Sequence, residues 1–432
     1  MSKIYITGHR NPDLDSICSA LAYADLKNHL DKENIYIPVR CGHLSPSSKN
    51  ILSSLDITPP PYMPDVFPKV KDVLLKTKEK IDITSPLTEV AKYYKDTNPS
   101  ATPIFRDGTF TGLLSVDDIS AWFMNRLSID KNIDAIPTVE EIMRDQAPSI
   151  QADDLFEEAK TALTNSKKRG LAVYEYNDYV GYVTRRCFLK APKYNVILVD
   201  HNEPKQSIKG IEGANILEII DHHRLDAIKT NLPIFIDAEP LGSTCTIVYE
   251  LYIRNGLTPS KSIAKILLTG MMADTLVLKS PTTTPTDVKS AKALSSIIGE
   301  GVTHFGHEMF SHMESLSKMD PETAILSDFK RYTEQGTNIG IGQCEVTTLN
   351  DLNEYKDSFL EALNDIRSKN ALDWAVCMIT DVLKENSILF TTDYRAIRYL
   401  PYSQLEPLLL DMPGVMSRKK QLLPEMIFAL GM

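Results

Sequence analysis

Apolar runs and polar breaks alternate along the chain in a way that predicts strands, polar turns and helices. The first run, KIYIT, gives way to GHRNPDLD and then to DSICSALAYADLKNHL, where Ile17, Ala20, Leu21 and Ala24 share one helical face. Asp15 or Ser16 is placed to cap that helix. Strand, polar turn, helix is the opening of an α/β domain. The pattern returns after about residue 193. YNVILVDHNE and NILEIIDHHR each close an apolar run on a polar cluster, and PIFIDAE is a further strand. STCTIVYELYIRNG and SKSIAKILLTGMMADT read as helices. A last section begins near residue 318, mixes strands such as NIGIGQCEV with helices, and runs to GVMSRKKQLLP.

Between these α/β stretches the texture changes. DITPPPYMPDVFPK carries five prolines, which continue neither a helix nor a central strand, and marks a domain crossing. An internal repeat follows. PSATPIFRDGTFTGLLSVDDI and KKRGLAVYEYNDYVGYVTRRCF align without a gap, so that Gly112 matches Gly181 and Ser115 matches Thr184, both at an offset of 69 residues. Two copies suit a paired module rather than a solenoid. The organisation expected is therefore a first domain in two parts, 1–66 and 192–313, split by a paired module at 67–191 and followed by a C-terminal mixed α/β domain at 318–432. The fold class is α/β, with a parallel sheet in the split domain.

Composition narrows the function classes. The 432 residues are 43% hydrophobic and 24% charged, ordinary for a globular protein, with a formal net charge of −10. An acidic chain argues against a general binder of nucleic acid or membrane surfaces. The opening residues contain no apolar core of a signal peptide, and no run of 18 apolar residues occurs. The six cysteines (Cys18, Cys41, Cys187, Cys245, Cys344, Cys377) form no CxxC pair and read as reduced thiols. A cytoplasmic enzyme is the expectation.

The candidate chemistry lies where predicted strands end: His9-x3-Asp13-x-Asp15, Asp200-His201-Asn202 and Asp221-His222-His223, with Asp274 closing a helical run. In open α/β sheets the C-terminal strand ends form the ligand-binding edge. Carboxylates gathered there would repel one another, and divalent cations resolve this. Mixed His and Asp ligands without Cys favour Mn²⁺, Co²⁺, Fe²⁺ or Zn²⁺ over Mg²⁺ or Ca²⁺, with Mn²⁺ or Co²⁺ preferred here. Four aspartates (Asp13, Asp15, Asp200, Asp274) balance two such ions, and a two-metal site holds water as hydroxide, a nucleophile suited to phosphorus. His29, His43, His304, His307 and His312 lack this context and read as structural.

GHRNPDLDS, VDHNE and DHHR resemble the DHH phosphoesterase superfamily. With LLTGMMADTLVLKSPTTTPTD, LSDFKRY and SRKKQ, the chain is similar to the manganese-dependent family II inorganic pyrophosphatases, and its repeat resembles the CBS pair inserted in the regulated members. The resemblance implies that His9, Asp13 and Asp200 bind one metal, and that Asp15, Asp200, His222 and Asp274 bind the other. His223 would hydrogen-bond substrate or protonate a leaving oxygen, with Asp221 orienting a neighbouring histidine. Lys330, Arg418 and Lys419 would grip the phosphates. Two tightly bound Mn²⁺ or Co²⁺ ions, Mg²⁺ arriving with pyrophosphate, domain closure and a homodimer are also implied. Leu14 stands where the family often has threonine.

In the CBS-like pair, the first copy carries Gly112-x-x-Ser115-x-x-Asp118, in which hydroxyl meets phosphate and carboxylate meets ribose. In the second, Cys187 replaces the aspartate, leaving Thr184 with Arg185 or Arg186 for phosphate. The resemblance implies an adenine nucleotide between the copies, AMP or ADP lowering activity and ATP relieving it. A structural or dimerising role competes with this. For the chain as a whole, the competing readings are another DHH-type phosphoesterase acting on short polyphosphate or a nucleotide phosphoester, and a non-catalytic adenine-nucleotide sensor.

Overall fold

The computed structural model describes residues 2–97, 99–129, 135–143, 148–225, 230, 232–312, 316–346, 348–382 and 384–432. The chain divides into two compact units, one of residues 1–66 with 195–432 and one of residues 67–194. Strands β1 (Lys3–Thr7) and β2 (Ile35–Val39) open the first unit. The helix Leu14–Leu30 connects them, as a parallel pair requires. Its cap is Asp13, whose side chain accepts from the Ser16 backbone N–H at 2.9 Å, rather than Asp15 or Ser16. The one-face expectation for this helix also changes. Ser16, Ser19, Ala22 and Tyr23 are buried along with Ile17, Ala20 and Ala24. Small side chains let other helices pack all round it.

The second unit holds the repeat. Strands β3 (Ile81–Asp82), β4 (Ala101–Arg106) and β5 (Thr109–Ser115) form one three-stranded sheet. Strands β6 (Ser149–Gln151), β7 (Gly170–Glu175) and β8 (Asp178–Thr184) form another in the same order. The two hairpins pair in equivalent registers, Ala101 with Ser115 and Gly170 with Thr184. Each is interrupted at the same point, between Ile104 and Phe105 and between Val173 and Tyr174. The 69-residue sequence offset is thus a structural offset too. Arg169 of the second copy forks onto Asp117 of the first, with Nε to Oδ2 at 2.6 Å and Nη2 to Oδ1 at 2.9 Å.

The first unit resumes with β9 (Asn195–Val199), β10 (Asn215–Asp221) and β11 (Phe235–Ala238). The sheet runs β11-β10-β9-β1-β2, every neighbouring pair parallel. Its strands are buried where helices cover them, as in Val196, Ile197, Leu198 and Val199. The helices Leu14–Leu30, Thr244–Arg254, Lys261–Asp274 and Pro285–Ile298 share one core with it, in which Ile6, Ile17, Leu26, Tyr252, Leu267 and Met271 are buried.

The remaining strands are β12 (Phe329–Glu334), β13 (Thr337–Val346), β14 (Trp374–Asp381), β15 (Asn386–Thr391), β16 (Ser403–Glu406) and β17 (Leu409–Pro413). They form a mixed sheet, β12-β13-β14-β15-β17-β16, in which only β13 and β14 are parallel. Strand β14 shows the period of two: Trp374, Val376 and Met378 enter one core, Ala375, Cys377 and Ile379 the other. The helix Leu352–Lys369 covers the second face through Phe359 and Leu363. SRKKQ becomes a π-helical turn, Arg418–Leu422, leading into the helix Leu423–Leu430 on the first face. Among the described residues, no helix is long and apolar enough to cross a membrane.

Candidate metal centre

Parallel strands β1, β9 and β10 end side by side, so residues nearly 200 positions apart in sequence reach one edge. Gly8 follows β1 because a Cβ there would lie 1.8 Å from Ser16 Oγ, the group that accepts from the His9 backbone N–H at 3.1 Å. His9 Nε2 then lies 3.2 Å from Asp13 Oδ2 and 3.3 Å from Asp200 Oδ2. Asp200 follows β9 with φ 60°, in the left-handed region. For a non-glycine residue that costs roughly 1–2 kcal/mol, a strain that clusters at functional sites. Asp221 ends β10, and His222 and His223 follow it.

These side chains form overlapping groups whose ligand atoms lie within 4.8 Å of one another: His9, Asp13 and Asp200; Asp15, Asp200, His222 and Asp274; and Asp200, His222 and His223. The structure therefore brings together all six residues expected to hold metal, with Asp200 common to both expected sets. His29, beside Asp25, and His43, stacked on Tyr62, lie outside these groups. His304 lies with Glu300 and Glu308 in a separate group of partly or fully exposed residues.

The donor set fits divalent cations. His222 Nδ1 lies 3.0 Å from the Leu241 carbonyl oxygen, which only accepts, so Nδ1 carries the proton and Nε2 presents a lone pair. That lone pair faces Asp274 Oδ2 at 3.3 Å and Asp200 Oδ1 at 3.5 Å, acceptor against acceptor. His222 Nε2 and Asp200 Oδ2 are both buried without a hydrogen-bond partner. Buried polar atoms are rarely orphaned, and a cation among them turns repulsion into coordination.

The protonation equilibria carry the same strain. Burial and then the Asp200 charge push Asp15 up to about 7. Burial, then Asp15, Asp13 and Asp200, push Asp274 well above the usual carboxylate range. Burial lowers His222, helped by His223. For His9 burial acts downward, but Asp13 and Asp200 outweigh it and the net shift is strongly upward.

Asp15 is held at the start of the helix Thr244–Arg254. It accepts from Ser243 Oγ at 2.6 Å, from the Thr244 N–H at 2.7 Å and from the Cys245 N–H at 3.0 Å. Gly270 opposes it, since a Cβ there would come within 2.9 Å of Asp15 Oδ1 and 2.5 Å of Cys245 Sγ. Asp287 fastens the same segment, accepting from the Gly242 N–H at 2.9 Å and Thr246 Oγ1 at 2.6 Å. Sequence reading missed Ser243, Thr244 and Asp287; its only available signal was the capping pattern at the two helix starts.

His223 Nδ1 lies 2.9 Å from Asp221 Oδ1 and 3.8 Å from Asp200 Oδ1. Asn202 fixes Asp221 from the other side, donating to Oδ2 at 2.6 Å. Against the downward effect of burial, Asp221 and Asp200 raise the His223 pKa. Lys330 on β12 is close enough to act on His223 electrostatically. The exposed Lys419 is pushed down by partial burial and by the charges of Lys330 and Arg224. Arg224 is thus a further cation at this edge, overlooked although DHHR contains it. Arg418 pairs with Asp328 and acts electrostatically on Glu345, as Asp13 also does. Its buried guanidinium donates through Nη2 to Asp328 Oδ1 at 2.9 Å and through Nη1 to the Asp328 carbonyl at 2.7 Å. On the neighbouring strand, burial and Asp328 raise Glu345 to about 7.

In the repeat unit, Asp118 Oδ2 accepts from the Ser115 N–H at 2.9 Å and from Ser115 Oγ at 2.6 Å. Cys187 Sγ takes the matching place, 3.4 Å from the Thr184 N–H. Arg185 is exposed and acts electrostatically on Asp117.

Comparison with known proteins places these observations. Residues 3–271 match the DHH family N-terminal domain and residues 307–427 the DHHA2 domain. A cobalt-dependent inorganic pyrophosphatase of Clostridium perfringens is 29% identical, covering 98% of this chain and 97% of that protein. A probable manganese-dependent inorganic pyrophosphatase of Lactobacillus helveticus is 33% identical over 59% of this chain and 86% of its own length. A Methanococcus jannaschii crystal structure assigned to the family II inorganic pyrophosphatases shares the fold, with a TM-score of 0.59 at 23% identity, covering 99% of this chain and all of that one.

Proposed function

This chain belongs to the DHH family and, within it, to the manganese- and cobalt-dependent inorganic pyrophosphatases; on that premise we propose that it hydrolyses inorganic pyrophosphate to two phosphates at a two-cation centre. The observation that carries the reading is the pair of ligand groups sharing Asp200. His9, Asp13 and Asp200 would hold one Mn²⁺ or Co²⁺ ion, and Asp15, Asp200, His222 and Asp274 the other. Such ions, once bound, supply Lewis acidity that acidifies water and neutralises phosphate charge. Mg²⁺ would accompany the substrate.

The remaining steps belong to side chains. Lys330 and Lys419 hold the terminal phosphate oxygens as point charges and, with Arg224, offset the substrate's negative charge. Asp221 accepts from His223 Nδ1 and so orients the ring, leaving Nε2 to donate to a substrate or leaving-group oxygen. Arg418 contributes its bidentate fork to a phosphate if it exchanges Asp328 for substrate, a rearrangement consistent with closure over a bound anion.

The repeat unit adds regulation. We infer an adenine nucleotide bound by Ser115, Asp118, Thr184 and Arg185, AMP or ADP lowering activity and ATP relieving it. The duplicated hairpin and the Gly112-x-x-Ser115-x-x-Asp118 pattern support this reading. A homodimer and a cytoplasmic setting complete it.

One assay tests the core. Phosphate release from pyrophosphate is measured after preloading with Mn²⁺ or Co²⁺, for the wild type and Asp200→Asn, with and without AMP. Activity in the wild type alone, changed by AMP, is expected. An Asp200→Asn enzyme as active as wild type would remove the two-cation mechanism, and calorimetry showing no heat with AMP, ADP or ATP would remove the regulatory reading.

A further inference from the structure

Thr244 touches two carboxylates at once. Its backbone N–H donates to Asp15 Oδ2 at 2.7 Å, and its hydroxyl donates to Asp200 Oδ1 at 3.0 Å. The residue is fully buried, at 0% exposure, so water does not compete for either bond. Asp15 and Asp200 both belong to the ligand group that includes His222 and Asp274. Their separation is therefore set by three covalent bonds of one residue, from N through Cα and Cβ to Oγ1.

The hydroxyl also distinguishes the two oxygens of the shared carboxylate. Asp200 Oδ2 faces His9 Nε2 at 3.3 Å and has no hydrogen-bond donor of its own. Asp200 Oδ1 faces His222 Nε2 at 3.5 Å and takes the Thr244 hydroxyl. A hydroxyl has a single proton to donate, and here it is committed to Oδ1. Rotating the Asp200 carboxylate would break that bond inside a dry core. The carboxylate is thereby held with one oxygen towards each ligand group.

We propose that Thr244 is a positioning residue that sets the affinity of the Asp15–Asp200–His222–Asp274 group for its cation, acting through Asp200. The proposal rests on the two-cation reading above. Partners that orient metal ligands typically contribute 10–100-fold in metal affinity, roughly.

The test uses the full-length, metal-free protein. Thr244→Val keeps the shape and the backbone N–H but removes the hydroxyl, Thr244→Ala removes it without a branched side chain, and Thr244→Ser restores it. Mn²⁺ binding is followed by calorimetry, bound metal is counted by atomic absorption, and the visible spectrum is recorded with Co²⁺. Wild type and Thr244→Ser should bind two ions with similar affinities. Thr244→Val and Thr244→Ala should retain the first ion and bind the second about 10–100-fold more weakly, with a changed Co²⁺ spectrum. The proposal is overturned if the variants lacking the hydroxyl bind both ions as wild type does, or if Thr244→Ser loses as much as Thr244→Val. A wild type that binds no second ion overturns the two-cation reading itself.

Discussion

Arg418 and Asp328 form an ion pair in which Nη2 lies 2.9 Å from Oδ1, although one partner is 7% and the other 48% exposed. The pair ties the SRKKQ turn to the start of β12, and Nη1 adds the Asp328 carbonyl at 2.7 Å. Removing the carboxylate leaves a buried guanidinium short of an acceptor. Asp328→Ala should destabilise the protein by roughly 1.5–3 kcal/mol, the range for hydrogen bonds to charged groups. Urea denaturation measures it; an unchanged midpoint and slope would show that the pair contributes nothing.

Metal removal should destabilise the fold. Asp15, Asp200, His222 and Asp274 crowd acceptor groups into one place, and ligands that bind only the folded state raise its stability. Chelator-treated protein should melt at a lower temperature, and Mn²⁺ or Co²⁺ should restore the transition in a concentration-dependent way. Identical melting curves before and after chelation would contradict the site.

The Asp15 carboxyl predicts a pH dependence in the metal-free protein. Its folded pKa, about 7, lies above the ordinary carboxylate value of 3.8. Between those limits the folded state binds more protons than the unfolded state, so this group's contribution to stability falls as pH rises. The stability of Asp15→Asn relative to metal-free wild type should therefore be higher at pH 8 than at pH 4, whatever the substitution costs in hydrogen bonds to Ser243, Thr244 and Cys245. Equal differences at both values would show that Asp15 titrates normally.

Lys330 on β12 and Lys420 in the SRKKQ turn, both exposed, should separate in their effects. Lys330 acts on His223 and Lys419, whereas Lys420 donates to the Pro281 carbonyl at 3.1 Å. Lys330→Met should raise the KM for pyrophosphate by about 10–100-fold, the equivalent of one charge-assisted hydrogen bond. Lys420→Met should change it far less. Steady-state kinetics at two ionic strengths decides this, because the Lys330 effect should shrink as salt screens the site.

Much of this protein was legible in its residues alone. Apolar runs ending in His and Asp predicted both the parallel strands β1, β9 and β10 and the edge where His9, Asp200 and His222 meet, because periodicity and strand ends are local properties. The repeat was legible for the same reason: one hairpin pattern recurs 69 residues later, from Ser115 to Thr184. Tertiary structure alone decided who holds whom. Asp13 caps the first helix, while Asp15 turns to the Thr244 and Cys245 N–H groups some 230 residues away. SRKKQ announced positive charge, but the burial of Arg418 against Asp328, and the gathering of Lys330 and Lys419 around Arg224, depend on how β12, β13 and the closing turn pack. A side chain's type encodes what it can bind; its partner is chosen by which groups packing leaves within reach and without water.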